Sequence, residues 1–109
     1  PFSPPPPPPH ERTTADQTPA PLPAETVAAL RTMMREAVTN GSASSLNDIE
    51  NLGGKTGTAE IGSGPAHGWF AGIVHDIAFC AFVEGADSSG PAVAMSGQFL
   101  RGAGEALTR

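Results

Sequence analysis

The sequence is short of the residues that several classes of function require. Its 109 residues include only six lysines and arginines, scattered along a chain whose net charge is −5. Binding to nucleic acid or to an anionic membrane surface takes clustered basic side chains, so we expect neither partner. No apolar run approaches the roughly 20 residues that span a bilayer, so we expect no membrane span in this sequence.

Cysteine and histidine are too sparse for a disulfide or a metal centre. The one cysteine, Cys80, has no partner for an internal disulfide, and its apolar surroundings from Ile77 to Val83 predict a small buried side chain. His10, His67 and His75 are too dispersed to predict a metal site, and Cys80 does not complete one. We therefore predict neither a metal nor another cofactor.

The first 23 residues differ in composition from the rest of the chain. They include six consecutive prolines, Pro4 to Pro9, and further prolines at Pro19, Pro21 and Pro23. Such a run adopts the extended polyproline II conformation and cannot enter the interior of a sheet. We interpret residues 1–23 as a proline-rich linker or exposed loop; a ligand for a proline-binding domain is the alternative.

From residue 24 onward the apolar pattern indicates regular structure. A helix is predicted over residues 24 to about 38, where apolar residues recur three or four apart and are expected to pack in the core. These residues are Val27, Leu30, Met34 and Val38. A turn rich in serine, asparagine and aspartate follows, from Asn40 to Asp48.

Three strands are predicted next, Leu52 to Glu60, His67 to Val74 and Ile77 to Glu84, and a second helix opens at Pro91. Only two residues separate the second and third strands, which predicts a tight antiparallel hairpin. Both phases of the strand alternation carry apolar residues, so we expect a sheet covered on both faces. The predicted fold class is α+β: an antiparallel sheet segment of three strands, flanked by an N-terminal and a C-terminal helix.

The sequence's only lysine stands in its most informative run, Gly53-Gly54-Lys55-Thr56-Gly57-Thr58-Ala59-Glu60. Small and flexible residues around Lys55 let the backbone and the ammonium group approach a ligand together. Gly-Lys-Thr also ends phosphate-binding loops, but that motif needs a glycine where Ile49 stands and a helix directly afterwards, which the following glycines disfavour. We therefore do not expect nucleotide binding.

The run resembles the lysine-threonine-glycine triad of penicillin-binding proteins and serine β-lactamases, in the longer Lys-Thr-Gly-Thr-Ala-Glu form of peptidoglycan transpeptidases. The pattern from Leu30 to Val38 before it and His67-Gly68-Trp69-Phe70-Ala71-Gly72 after it are also similar to that family. The order of predicted elements matches the end of the family's transpeptidase domain. The resemblance covers roughly residues 22 to 109 and implies that residues 24–109 are the C-terminal portion of a larger penicillin-binding transpeptidase fold.

The resemblance implies roles for four residues of the triad strand. As catalytic residues, Lys55 would supply positive potential without being acylated, and the backbone N–H of Thr58 would donate to the oxyanion. As substrate-binding residues, Thr56 and Thr58 lie two apart on one side of the strand, where both hydroxyls reach one ligand carboxylate. Gly57 between them has no side chain to keep the substrate backbone away.

Two other motifs of the family are absent or misplaced. The nucleophile motif Ser-x-x-Lys does not occur, because Leu52 stands three places before the only lysine. The motif Ser-x-Asn has one match, Ser45-Leu46-Asn47, but it lies between the first helix and the triad strand rather than upstream of that helix. We interpret Ser45 and Asn47 as turn-forming residues. The serine nucleophile is therefore expected on an upstream remainder of the same protein.

The resemblance implies a serine D,D-transpeptidase that cross-links peptidoglycan stem peptides ending in D-alanyl-D-alanine and is acylated by β-lactams. The alternatives are a non-catalytic scaffold or β-lactam sensor, a D,D-carboxypeptidase, and a β-lactamase. The chain starts at Pro1 and shows no export signal. We expect a fragment of a longer extracytoplasmic protein, inactive by itself, with any export or membrane segment upstream.

Overall fold

The computed structural model describes residues 19–103, and the predictions for Pro4 to Pro9 and His10 fall outside that range. Helix α1 spans Ala24–Thr39, and a short 3-10 helix follows at Ser44–Leu46. Three strands come next: β1 at Leu52–Ala59, β2 at His67–Val74 and β3 at Ile77–Val83. Helix α2 spans Gly90–Gly102. The predicted α+β class, with three strands between two helices, is confirmed.

The three strands form one antiparallel sheet in the order β1-β2-β3. Leu52 pairs with Val74 at one end of the β1–β2 ladder, and Ala59 pairs with His67 at the other. The predicted hairpin between β2 and β3 is confirmed: Val74 pairs with Ile77, and His75 takes a positive φ of 52° in the two-residue turn. β2 is therefore the central strand, and β1 and β3 flank it.

The core lies between one face of the sheet, helix α2, the 3-10 helix and the C-terminal end of α1. Alternate residues of the strands point to this face, and the rings of Phe70 and Phe79 meet there at 6.0 Å between centroids. Phe70 is fully buried, and burying one such ring contributes about 2 kcal/mol from the hydrophobic effect. The buried apolar cluster comprises Val38, Ala43, Leu46, Leu52, Phe70, Val74, Ala92, Val93 and Leu100.

The opposite face of the sheet is only partly covered by residues 19–103. Side chains of β2 on this face are half-buried, and Cys80 and Phe82 of β3 are exposed. The prediction of a buried Cys80 is therefore wrong, because its neighbours Phe79 and Ala81 take the positions that face the core. The expected cover on both faces is likewise not seen in this part of the chain.

Helix α1 contributes to the core mainly through its C-terminal end. Among the four predicted core residues only Val38 is buried, and Leu30 is 40% exposed. Arg35 explains how this end is attached: its Nη1 donates to the carbonyl oxygens of Ile49 at 3.0 Å and Leu52 at 2.7 Å. These bonds hold the helix against the beginning of β1.

Helix α2 is tied to the turn that precedes β1. The Arg101 guanidinium donates through Nε and Nη2 to both carboxylate oxygens of Asp48, at 3.1 and 2.8 Å. Its hydrogen bond lowers the pKa of Asp48, and in return the pKa of Arg101 is raised. Within residues 19–103, neither helix has the length and apolar character needed to cross a membrane.

Candidate active site

Lys55 lies in the middle of β1, opposite Ala71 of the central strand. It is exposed, and its Nζ donates to the carbonyl oxygen of Thr56 at 2.7 Å. This bond folds the side chain back along its own strand. The ammonium group is thereby kept beside the triad backbone.

Lys55 lines an open groove of about 500 Å³ between β1 and the end of α1. The groove is mixed in character: a cation, a carboxylate, an amide and a hydroxyl line it together with apolar residues. Its lining residues are Met33, Glu36, Ala37, Asn40, Gly41, Ser42 and Lys55. A ligand in this groove meets the only lysine of the chain and the hydrogen-bonding side chains of the loop after α1.

The two threonines of the triad run differ in environment. Thr56 is buried at 8% exposure, and its hydroxyl oxygen lies 2.7 Å from that of Ser42. Thr58, two residues along the strand, is exposed. For both hydroxyls to bind one ligand, the two threonines would have to act differently. Thr58 is open to solvent, whereas Thr56 already has Ser42 as a hydrogen-bond partner.

Gly57 is covered by an aromatic ring rather than left open on both sides. It pairs with Trp69 across the β1–β2 ladder, and a Cβ atom at Gly57 would overlap the indole at Cζ2 and Cε2. Aromatic side chains that cover a glycine on the neighbouring strand help to set the register of a sheet. Glycine is thus required here by the packing of Trp69, in addition to any approach of a substrate.

Phe70 makes a second contact of this kind on the core face. A Cβ atom on Gly54 would overlap the Phe70 ring, and it would also lie 2.8 Å from the backbone oxygen of Ala71. The glycines on either side of Lys55 and Thr56 therefore fit against aromatic rings of β2, one ring on each face of the sheet. This packing fixes the position of the triad strand.

The other residues singled out in the sequence have structural partners. The ring of His67 accepts a hydrogen bond at Nδ1 from the backbone N–H of Gly85, at 2.9 Å. The carbonyl of Ser45 accepts from Arg101 at 3.0 Å, and the N–H of Asn47 donates to Ser44, consistent with their interpretation as turn formers. Among residues 19–103, no group of three or more potential metal ligands is found.

Sequence reasoning missed Ser42. In the sequence it is only part of the turn after α1, because Asn40-Gly41 is a typical helix stop. Its partner Thr56 lies 14 residues further on, and no local pattern connects the two positions. The only available signal was a small hydroxyl residue directly after that stop, which many turns share.

Comparison with known families assigns the chain. Residues 11–100 match the model of the penicillin-binding protein transpeptidase domain, which covers most of the 109 residues. No curated protein and no solved structure matches the chain. The match includes α1, all three strands and nearly all of α2. The chain thus belongs to the penicillin-binding protein transpeptidase domain family.

Proposed function

We propose that this chain contributes the Lys-Thr-Gly strand to the active site of a serine D,D-transpeptidase that cross-links peptidoglycan stem peptides and is acylated by β-lactams. The observation that carries the proposal is the placement of Lys55. It lies in a groove beside β1, together with hydroxyl and amide donors, in a chain of the transpeptidase family. A cation with nearby donors suits the carboxylate that ends a stem peptide.

Each triad residue has a defined task in this proposal. Lys55 supplies positive potential for the terminal carboxylate and takes part in the proton network, and the Thr58 N–H donates to the oxyanion of the tetrahedral intermediate. One such donor contributes on the order of 3 kcal/mol to transition-state stabilisation. Thr56 and Thr58 donate hydroxyl hydrogen bonds to the carboxylate. Glycine at position 57 lets Trp69 pack directly on the triad strand, along which the substrate backbone would bind.

The serine nucleophile is proposed to come from another segment of the same protein, because Ser-x-x-Lys does not occur in these 109 residues. Residues 24–109 would then be the C-terminal portion of the transpeptidase domain, and residues 1–23 a linker or exposed loop. Because peptidoglycan lies outside the cytoplasmic membrane, the domain would act there. By itself the chain would be inactive.

The proposal is tested by labelling the full-length protein with a fluorescent penicillin and analysing the products. A transpeptidase forms a covalent acyl-enzyme and then joins a donor stem peptide to an amine acceptor. Release of free D-alanine without a joined product identifies a D,D-carboxypeptidase instead, and rapid hydrolysis of the penicillin identifies a β-lactamase. A folded protein that is not labelled contradicts catalysis and supports a scaffold.

A further inference from the structure

One hydrogen bond connects the triad strand to a residue that has no assigned role. The hydroxyl oxygen of Ser42 lies 2.7 Å from that of Thr56, and Ser42 lines the same groove as Lys55. Ser42 is exposed, whereas Thr56 is buried at 8% exposure. The Thr56 hydroxyl therefore lies beside the groove, within hydrogen-bond distance of one of its lining residues.

The number of protons in this pair limits how it meets an anion. A hydroxyl carries one proton and two lone pairs, so within the pair one hydroxyl donates and the other accepts. If Thr56 donates its proton to a carboxylate, it has none left for Ser42. The bond between them then persists only with Ser42 as the donor. Donors linked in this way polarise and strengthen one another.

We propose that Ser42 is a positioning residue of this site: it donates to Thr56 Oγ1, so that the Thr56 hydroxyl directs its own proton to the ligand carboxylate. The inference rests on the proposed function, because it takes the ligand to be the carboxylate of a stem peptide or a β-lactam. Ser42 acts through Thr56 and does not itself touch the reacting atoms.

The inference is tested with two forms of one ligand. Benzylpenicillin carries the free carboxylate, and its methyl ester does not. The full-length protein and its Ser42→Ala variant are acylated with each, and the ratio of the acid rate to the ester rate is compared. This ratio does not depend on the fraction of protein that is folded. Ser44→Ala removes another exposed hydroxyl of the same turn and serves as the matched control.

We expect Ser42→Ala to lower the acid-to-ester ratio about fivefold, which corresponds to the loss of one net hydrogen bond. Ser42→Thr, which retains a hydroxyl, should keep the ratio within about twofold of wild type. Ser42→Cys, a close match in size but a weak donor, should lower the ratio as Ser42→Ala does. Ser44→Ala should leave it unchanged.

Three results overturn the inference while leaving the proposed function intact. They are an unchanged ratio in Ser42→Ala, an equal loss with acid and ester, and a Ser42→Thr ratio as low as that of Ser42→Ala. An equal loss with both ligands marks a purely structural role for Ser42. If the wild-type protein is acylated by neither ligand, the proposed function fails first and the inference fails with it.

Discussion

The two strands that flank β2 both pair with it in antiparallel fashion, but they differ in composition and in the grooves that they border. β1 is rich in glycine and borders a groove with a cation, a carboxylate, an amide and a hydroxyl. β3 is apolar throughout and borders a groove of about 290 Å³ whose residues are almost all apolar: Phe79, Cys80, Ala81, Met95, Ser96 and Phe99. The β1 edge thus carries charged and hydrogen-bonding groups, whereas the β3 edge is almost entirely apolar.

The comparison shows why β1 tolerates so many glycines. Glycine weakens a strand because it costs conformational entropy and has no side chain to pack. In β1 the rings of Phe70 and Trp69 take the places of the missing side chains at Gly54 and Gly57, one on each face, and helix α1 lies against Gly53. β3 needs no such support, because its own side chains supply the apolar surface. The polar edge is therefore held in place by its neighbour strand.

The largest expected effect distinguishes the buried and exposed rings of the sheet. Phe70→Ala should lower the free energy of unfolding by about 3–5 kcal/mol, because a fully buried ring leaves a cavity in the core and uncovers Gly54. Phe82→Ala, at a position 54% exposed, should cost less than about 1 kcal/mol. Urea denaturation of both variants measures the difference. Equal losses would contradict the assignment of the core to one face.

A second prediction concerns the indole that covers Gly57. Gly57→Ala should cost about 1–3 kcal/mol, because its Cβ atom overlaps Trp69 and one of the two must shift. The cost should be smaller when Trp69→Ala is also present, and a double-mutant cycle by urea denaturation measures that coupling. Gly102→Ala is the control, since nothing lies within 4 Å of its Cβ position. Additive effects of the two changes would show that Trp69 does not pack on the triad strand.

A third prediction uses the same indole as a reporter. Trp69 is the only tryptophan of the 109 residues, and they contain no tyrosine. Because the indole lies on Gly57, a β-lactam bound along β1 should alter its emission. The difference spectrum between wild type and Trp69→Phe isolates this signal in the full-length protein. Complete acylation without any change in that difference would place the ligand away from the triad strand.

The smallest expected effect is that of the ion pair between Asp48 and Arg101. Because the pKa of Asp48 is lowered in the folded state, the pair stabilises the protein above the unfolded pKa of about 4. That contribution is lost as the pH falls through the lower, folded value. Asp48→Asn should therefore melt slightly below wild type at pH 7, and the gap should close in acid. A gap that widens as the pH falls would reverse the sign of the linkage.

Most of the fold could be predicted from the sequence because its signals are local. Strand-like runs bounded by turn residues located all three strands to within one residue, and His75-Asp76 marked the hairpin. Burial was harder to predict. Both phases of β3 are apolar, and this pattern does not reveal that the described residues cover only one of them, so the predicted burial of Cys80 is wrong. Leu30 belongs to the apolar stripe of α1. Among the described residues, this stripe is buried only near the C-terminal end of the helix, at Val38.

The candidate site likewise combines features with a local sequence signal and features without one. Lys55 and its neighbours were recognisable because they form one continuous run. The hydrogen bond between Ser42 and Thr56 and the packing of Trp69 on Gly57 join residues 12 to 14 positions apart. The position of the loop after α1 makes the first contact, and the register of β1 on β2 makes the second. The sequence thus predicts the candidate residues of the triad, but not the contacts that hold them in place.

The central claim is that Lys55 forms part of an acylation site, and its replacement tests this most directly. Labelling of the full-length protein with fluorescent penicillin should be abolished by Lys55→Ala, with little change in melting temperature because the side chain is exposed. Arg31→Ala removes another exposed cation, from α1 and outside the groove, and should label as wild type does. Undiminished labelling of a folded Lys55→Ala protein would contradict the account.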